Sequence, residues 1–122
     1  MDIVLKKGTL LLKAVVFYYH LMTELEEQIL EETALELDAK DELSWAIEFI
    51  NSDFPTSITR TREFLIQNLS EHSKEDKFKM IKKVWEDNAK KGFTTEIEAV
   101  TMLKVASDLG IVNELLALAR NK

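Results

Sequence analysis

The sequence has no cysteine, one proline and three glycines among its 122 residues. The lack of cysteine excludes disulfide scaffolds, thiolate zinc sites, iron–sulfur clusters and cysteine nucleophiles. So few glycines and prolines argue against β-sandwiches, β-barrels and disordered linkers, which need many turn residues. The length favours one domain, residues 1–122, built around one core.

Basic residues are also in deficit. The chain carries 22 acidic and 16 basic side chains, a formal net charge of −6, and its pI is near 5.0. This balance disfavours nucleic acid and anionic lipid as partners, because both repel an acidic surface. We therefore expect a protein partner, and we expect the chain to act as a monomer or a homodimer.

Long hydrophobic runs are missing as well. Lys13 interrupts the apolar stretch near the start, and the longest uncharged segment, residues 14–23, has ten residues. That is about half of a membrane span. A basic start before an apolar run also resembles a signal peptide, but no small-x-small cleavage site follows. A buried helix in a cytoplasmic protein, with no membrane contact, is the favoured interpretation.

Apolar residues recur at helical spacing almost throughout, and no segment alternates as a strand does. We predict an all-α fold, a compact bundle of six or seven helices. The first helix, with Thr9 as N-cap, is apolar around most of its girth and has one narrow polar stripe that includes Lys13, so we expect it at the centre of the bundle. Whether it continues to about Leu37 or breaks near Thr23 stays open.

Later boundaries are better marked. Asp38 or Asp41 is a candidate cap for the next helix, residues 51–56 break the pattern, and a short helix is expected from about Ser57 to Leu69. Ser73, Thr95 (with Glu98 in a capping box) and Asn113 are candidate N-caps, and Gly110 is expected to end a helix in a left-handed turn. Most aromatic residues fall at core spacing, whereas Phe54 and Phe93 lie in turns and are the ones expected to be exposed or to act as staples between hairpins.

The second half carries a family resemblance. Its pattern is Trp85-x-x-x-Ala89-x-x-Gly92, then Glu98, then Ala106-x-x-Leu109-Gly110-Ile111. This pattern, over residues 74–112, resembles the tellurite-resistance TerB-like family. The resemblance implies two related helical halves, here about residues 9–50 and 57–120, and acidic helix junctions associated with divalent metals.

The junctions depart from the family pattern. Lys91 stands where the family has Asp before the glycine, and Met22-Thr23-Glu24 stands where the first junction would be. A cation has therefore replaced the key carboxylate in one copy. The resemblance implies a retained scaffold whose metal chemistry was lost or moved.

One helical row could nevertheless supply metal ligands. His20, Glu24, Glu27 and Glu31 lie at i, i+4, i+7 and i+11, and carboxylate–histidine helices bind metals in bundle proteins. Such a site needs ligands from a second helix, which the sequence does not identify. The alternative is an ordinary solvated stripe, with Glu24 pairing to His20 across one turn.

Acidic residues concentrate in residues 24–48, where ten negative charges face Lys40 alone, whereas residues 74–91 carry a net charge of +3. The acidic segment could attract a basic protein. It could equally complement the basic segment within the molecule, or serve solubility. The candidate partner-binding residues are Glu26, Glu32, Glu36, Asp38, Asp41 and Glu42.

Catalytic motifs are not found: the sequence has no glycine-rich phosphate loop, no H-E-x-x-H and no G-x-S-x-G. We therefore expect a non-enzymatic interaction module without catalytic residues or a cofactor, resembling TerB-like stress and tellurite-resistance proteins. Two alternatives stay open. One is a small acidic inhibitor of the immunity or antitoxin type, and the other is a carboxylate metal-binding protein holding a divalent metal.

Overall fold

The structure, a computed structural model, describes residues 2–18 and 23–120. These residues form seven α-helices and a 3-10 turn at Phe54–Thr56, and they contain no β-strand. The all-α prediction is therefore confirmed. The helices are α1 (Ile3–Tyr18), α2 (Glu24–Glu36), α3 (Lys40–Asn51), α4 (Ser57–Leu69), α5 (Lys74–Ala89), α6 (Glu96–Asp108) and α7 (Val112–Arg120).

Helix α1 lies at the centre of the bundle. Every residue from Gly8 to Phe17 is buried, and the helix contacts α2, α3, α4, α5 and α6. Gly8 allows α4 and α5 to pack closely against α1, since a Cβ atom there would lie 2.9 Å from the Met80 sulfur and 3.1 Å from a Leu65 methyl carbon. No helix of the described residues is long and apolar enough to span a membrane.

The start of α1 corrects the sequence prediction. The helix begins at Ile3, and the Asp2 carboxylate accepts the Leu5 backbone N–H at 2.8 Å. Thr9 is not the N-cap; it lies inside the helix, where its hydroxyl donates to the Leu5 carbonyl at 2.7 Å. Gly8, just before Thr9, also lies inside the helix, where it allows close packing.

The end of α1 settles the question left open at Thr23. Helix α1 ends at Tyr18, and Thr23 has an extended backbone and caps α2, so one helix running to Leu37 is wrong. The Thr23 side chain accepts the Glu26 N–H, and the Glu26 side chain accepts the Thr23 N–H. This is a complete capping box, the same Thr-x-x-Glu pattern that marks α6.

Two other predicted caps are wrong. Helix α3 follows Ala39, which makes no side-chain cap; Asp38 instead has a φ of 51° at the end of α2, and Asp41 lies in the first turn of α3. Asn113 lies inside α7, which begins at Val112. Five features are confirmed: the Ser73 cap, the Thr95–Glu98 capping box, the left-handed Gly110, and the exposed Phe54 and Phe93.

Local geometry repeats at an interval of 72 residues. The capping box of Thr23 and Glu26 recurs at Thr95 and Glu98, and the positive φ of Asp38 recurs at Gly110. The hydrogen bonds that close the two helix ends also match: the Ala39 N–H donates to the Ala34 carbonyl, and the Ile111 N–H to the Ala106 carbonyl, both at 2.8 Å. The division into halves at residues 9–50 and 57–120 stays a prediction.

Candidate functional site

A charged side chain lies in the middle of the central helix. Lys13 is fully buried, and its ammonium donates hydrogen bonds to the Asp87 carboxylate on α5 and to the Thr33 hydroxyl on α2. The Thr33 hydroxyl also contacts Asp87 at 3.3 Å and donates to the Ile29 carbonyl at 2.8 Å. The polar stripe predicted on α1 is therefore, at Lys13, an internal contact that joins three helices.

Asp87 collects further cations at the rim of this contact. Lys90 lies 3.0 Å from one of its oxygens and Lys83 lies 3.3 Å from the other, while Lys83 also pairs with Glu36 at 2.7 Å. Burial raises the pKa of Asp87, but the hydrogen bond and charge of Lys13, together with the two outer lysines, outweigh it and hold that pKa below 3.8. Burial lowers the pKa of Lys13 from 10.5 to about 8, although Asp87 acts against this.

A second buried cation joins the two capping boxes. The Lys91 ammonium contacts a Glu98 oxygen and lies 3.3 Å from a Glu26 oxygen, and the side chains of all three are at most 3% exposed. Burial raises the pKa of Glu98, but the hydrogen bond from Lys91 and the N–H of Thr95 bring it below 4.5. The N-termini of α2 and α6 are thereby tied to the end of α5.

Aromatic rings complete the enclosure of Lys91. Its ammonium lies 5.3 Å from the centre of the Phe17 ring and 5.0 Å from that of Phe93, within the range of cation–π attraction. Both buried lysines are thus fully engaged with their own neighbours and covered from solvent. Neither offers a nucleophile or a proton acceptor to a substrate, and we assign both clusters to stability.

The predicted metal row is only partly described. His20 lies outside the described residues, whereas Glu24, Glu27 and Glu31 are exposed on α2. Among residues 2–18 and 23–120, no group of three or more histidine, aspartate and glutamate side chains could hold a metal ion. The three glutamates therefore form an exposed acidic row without ligands from a second described helix.

The predicted partner-binding residues divide into two groups. Glu26 is wrong for that role, because it is 2% exposed and holds Lys91. Glu36 is exposed but is paired with Lys83. The rest, Glu32, Asp38, Asp41 and Glu42, lie at least partly on the surface and form no ion pair with any described residue.

A groove lies between α2 and α3 on this acidic side. It has a volume of about 410 Å³ and is lined by Glu31, Ala34, Leu35, Lys40, Leu43 and Ser44. Leu35 is 65% exposed, the largest exposed fraction among the large hydrophobic side chains described. Helical spacing places Leu35 on the same row of α2 as Glu24 and Glu31. The charges of this surface are evident from the sequence, whereas its apolar element, Leu35 beside a groove, depends on how α2 and α3 pack.

The chain matches no protein-family model, no curated protein and no solved structure. The resemblance to TerB-like proteins therefore stays a prediction that rests on the residues themselves.

We expect the two single substitutions in the Lys13–Asp87 pair to differ in their effect on stability. Asp87→Asn leaves the buried Lys13 ammonium beside two other lysines, so we expect a loss of about 3–5 kcal/mol in the free energy of unfolding. Lys13→Met costs less, because Asp87 keeps Lys83 and Lys90. Urea unfolding at pH 7 measures both. The double variant should be more stable than Asp87→Asn alone; additive losses would show that the two side chains do not interact.

The lowered pKa of Lys13 predicts that the free energy of unfolding depends on pH. This pKa is about 8 in the folded protein and 10.5 as the ordinary value, so between these pH values the unfolded chain binds more protons. The free energy of unfolding should then rise with pH by up to about 1.4 kcal/mol per pH unit. We expect this rise in the wild-type protein relative to Lys13→Met, measured by urea unfolding at pH values from about 7 to about 10.5. A constant difference between the two proteins across this window would refute the buried charge.

Lys91→Met should leave Glu98 buried without its ammonium partner. We expect a loss of about 3 kcal/mol at pH 7, and Lys90→Met, at the neighbouring exposed position, should cost under about 1 kcal/mol. Without the cation the pKa of Glu98 rises above its unfolded value, so the folded state binds more protons and is stabilised by acid. Thermal unfolding at pH 5 and pH 7 checks this. An equal loss at both pH values, or an equal loss in Lys90→Met, would contradict the assignment.

Proposed function

We propose that this chain is a non-enzymatic interaction module that binds a basic protein partner through the outer face of α2 and α3. One observation carries the proposal. The exposed row Glu24, Glu27 and Glu31 forms no ion pair with any described residue, and neither does the exposed Glu32. Glu26 and Glu36, in contrast, lie on other faces of α2 and are each paired with a lysine.

The sequence raised an alternative, in which the acidic and basic segments complement each other within the molecule. This alternative explains the paired glutamates, Glu26 and Glu36, but not the exposed row. Lysines on α5 and just after it neutralise Glu36, Asp87 and Glu26. The outer row stays uncompensated, and Glu27 and Glu31, one turn apart, repel each other, which weakens a helix by about 0.2–0.5 kcal/mol. Folding does not benefit from this repulsion, so a partner's positive charges provide a better reason for it.

The biological setting follows from the resemblance as part of the same proposal. An accessory role of the TerB-like type, in stress response or tellurite resistance, is supported by the motif over residues 74–112 and by the capping boxes that recur 72 residues apart. An acidic inhibitor of the immunity or antitoxin type is the second candidate, favoured by the same uncompensated row. Both roles use one surface and differ in the partner.

The proposal predicts which variants lose the partner. Changing Glu24, Glu27 and Glu31 together to Gln removes three charges from exposed positions and should leave stability within about 0.5 kcal/mol of the wild type. Glu71, Glu86 and Glu96, changed together to Gln, are a matched control, since they are equally exposed elsewhere. Immobilised wild-type protein and control should capture the same basic protein from cells of the source, in a salt-sensitive manner, and the first triple variant should lose it. A partner retained by that variant would disprove the assigned surface.

A further inference from the structure

We infer that the groove between α2 and α3 accepts an amphipathic basic α-helix, with an apolar side chain of the partner seated on Leu35 and Leu43. This inference rests on the proposed function and names the chemistry of the partner. The apolar lining of the groove consists of the buried Ala34 together with Leu35 and Leu43, in a space of about 410 Å³. That volume is large enough for one or two aliphatic side chains.

Leu35 lies on the same face of α2 as the exposed row Glu24, Glu27 and Glu31. Leu35 follows Glu31 by one helical turn, and Glu31 follows Glu27 by another. Exposed single leucines are common on protein surfaces, but this one borders a groove instead of standing on a convex face. Grooves that bind amphipathic helices receive the apolar face of the helix through anchors at i, i+3, i+4 and i+7, and Leu35 and Leu43 are the apolar side chains of this groove that could receive them.

Charge selects a basic occupant over an acidic or neutral one. Glu24, Glu27 and Glu31 run along the α2 side, and Glu48 follows Ser44 by one turn on the α3 side. None of the four forms an ion pair with a described residue. Glu31 and Lys40 both line the groove itself, but Lys40 is the single cation of residues 24–48, so the flanks of the groove keep an excess of negative charge. Lysine or arginine side chains flanking the apolar anchor of the partner would reach these carboxylates.

The shape of the groove selects a helix. Residues 37–39 are all that separates α2 from α3, so the two helices lie side by side, and the space between them is a furrow of the kind that receives the ridge of a third helix. Extended peptides bind by adding to a sheet edge or by docking in an aromatic-lined groove. The described residues form no strand, and none of the side chains that line this groove is aromatic.

The test uses two synthetic peptides of identical leucine and lysine composition, each about 18 residues long. In one, leucine recurs at i, i+3, i+4 and i+7, so that a helix has an apolar face; in the other, the leucines are spread around the helix. Isotope-labelled protein is titrated with each peptide and followed by NMR, which gives both affinity and location. We expect the amphipathic peptide to bind at least about tenfold more tightly, with shift changes centred on Ala34, Leu35, Leu43 and Ser44.

Leu35→Gln is the decisive variant, and Ile66→Gln, at a 45% exposed site on α4, is its control. Because both side chains are exposed, both variants should fold. Leu35→Gln should weaken the amphipathic peptide about tenfold, and Ile66→Gln should leave its affinity unchanged. Equal binding of the two peptides, lost in the Glu24, Glu27 and Glu31 triple variant, would overturn the helical groove and leave the proposed function standing. Binding that neither Leu35→Gln nor the triple variant affects would overturn both.

Discussion

The ammonium of Lys13, placed at the centre of the bundle, constrains the rest of the structure. An unpaired charge in an apolar interior costs far more than any single packing contact can return. The chain must therefore bring Asp87 and Thr33 to one point on α1. Aliphatic side chains can pack in several alignments of α2 and α5 against α1. The hydrogen bonds of Lys13 to the Asp87 carboxylate and the Thr33 hydroxyl form only when both helices are correctly aligned. We infer that the buried pair contributes to the alignment of these helices more than to the total stability.

Lys91 extends the same constraint to the ends of the helices. It lies four residues after Asp87, one turn further along the chain, and its ammonium holds the spare oxygens of Glu26 and Glu98. Each of these glutamates uses its other oxygen to cap its own helix. The end of α5 therefore positions both capping boxes, and lysines there also suit the negative end of the helix dipole. In this way two local motifs, each readable in the sequence, become one tertiary contact.

Most of the fold could be predicted from the sequence because helical periodicity and capping chemistry are local. The Ser73 and Thr95 caps and the turn at Gly110 needed no tertiary information. The predicted caps at Thr9 and Asp38 were wrong because a polar residue beside a candidate boundary can serve another purpose. Thr23 was not predicted as a cap, although it begins the same Thr-x-x-Glu pattern as Thr95. The burial of Glu26 could not be foreseen, because its counterion, Lys91, is distant in sequence. The burial of Lys13 could have been predicted, because it is a lone cation within a run of apolar residues.

The distinction between inward and outward charges is the basis of the proposed function. Carboxylates at Asp87, Glu26 and Glu98 are fully accounted for by folding, because each holds a lysine that would otherwise be buried alone. The outer glutamates of α2 do nothing comparable, and two of them repel each other across a single turn. The helix dipole favours Glu24 and Glu27 in the first turn of α2, but no ion pair among the described residues engages the row, which is why we propose a partner for it. Leu35 adds the apolar component that charge alone lacks, since charge attracts many basic molecules and an apolar contact within a shaped groove distinguishes among them.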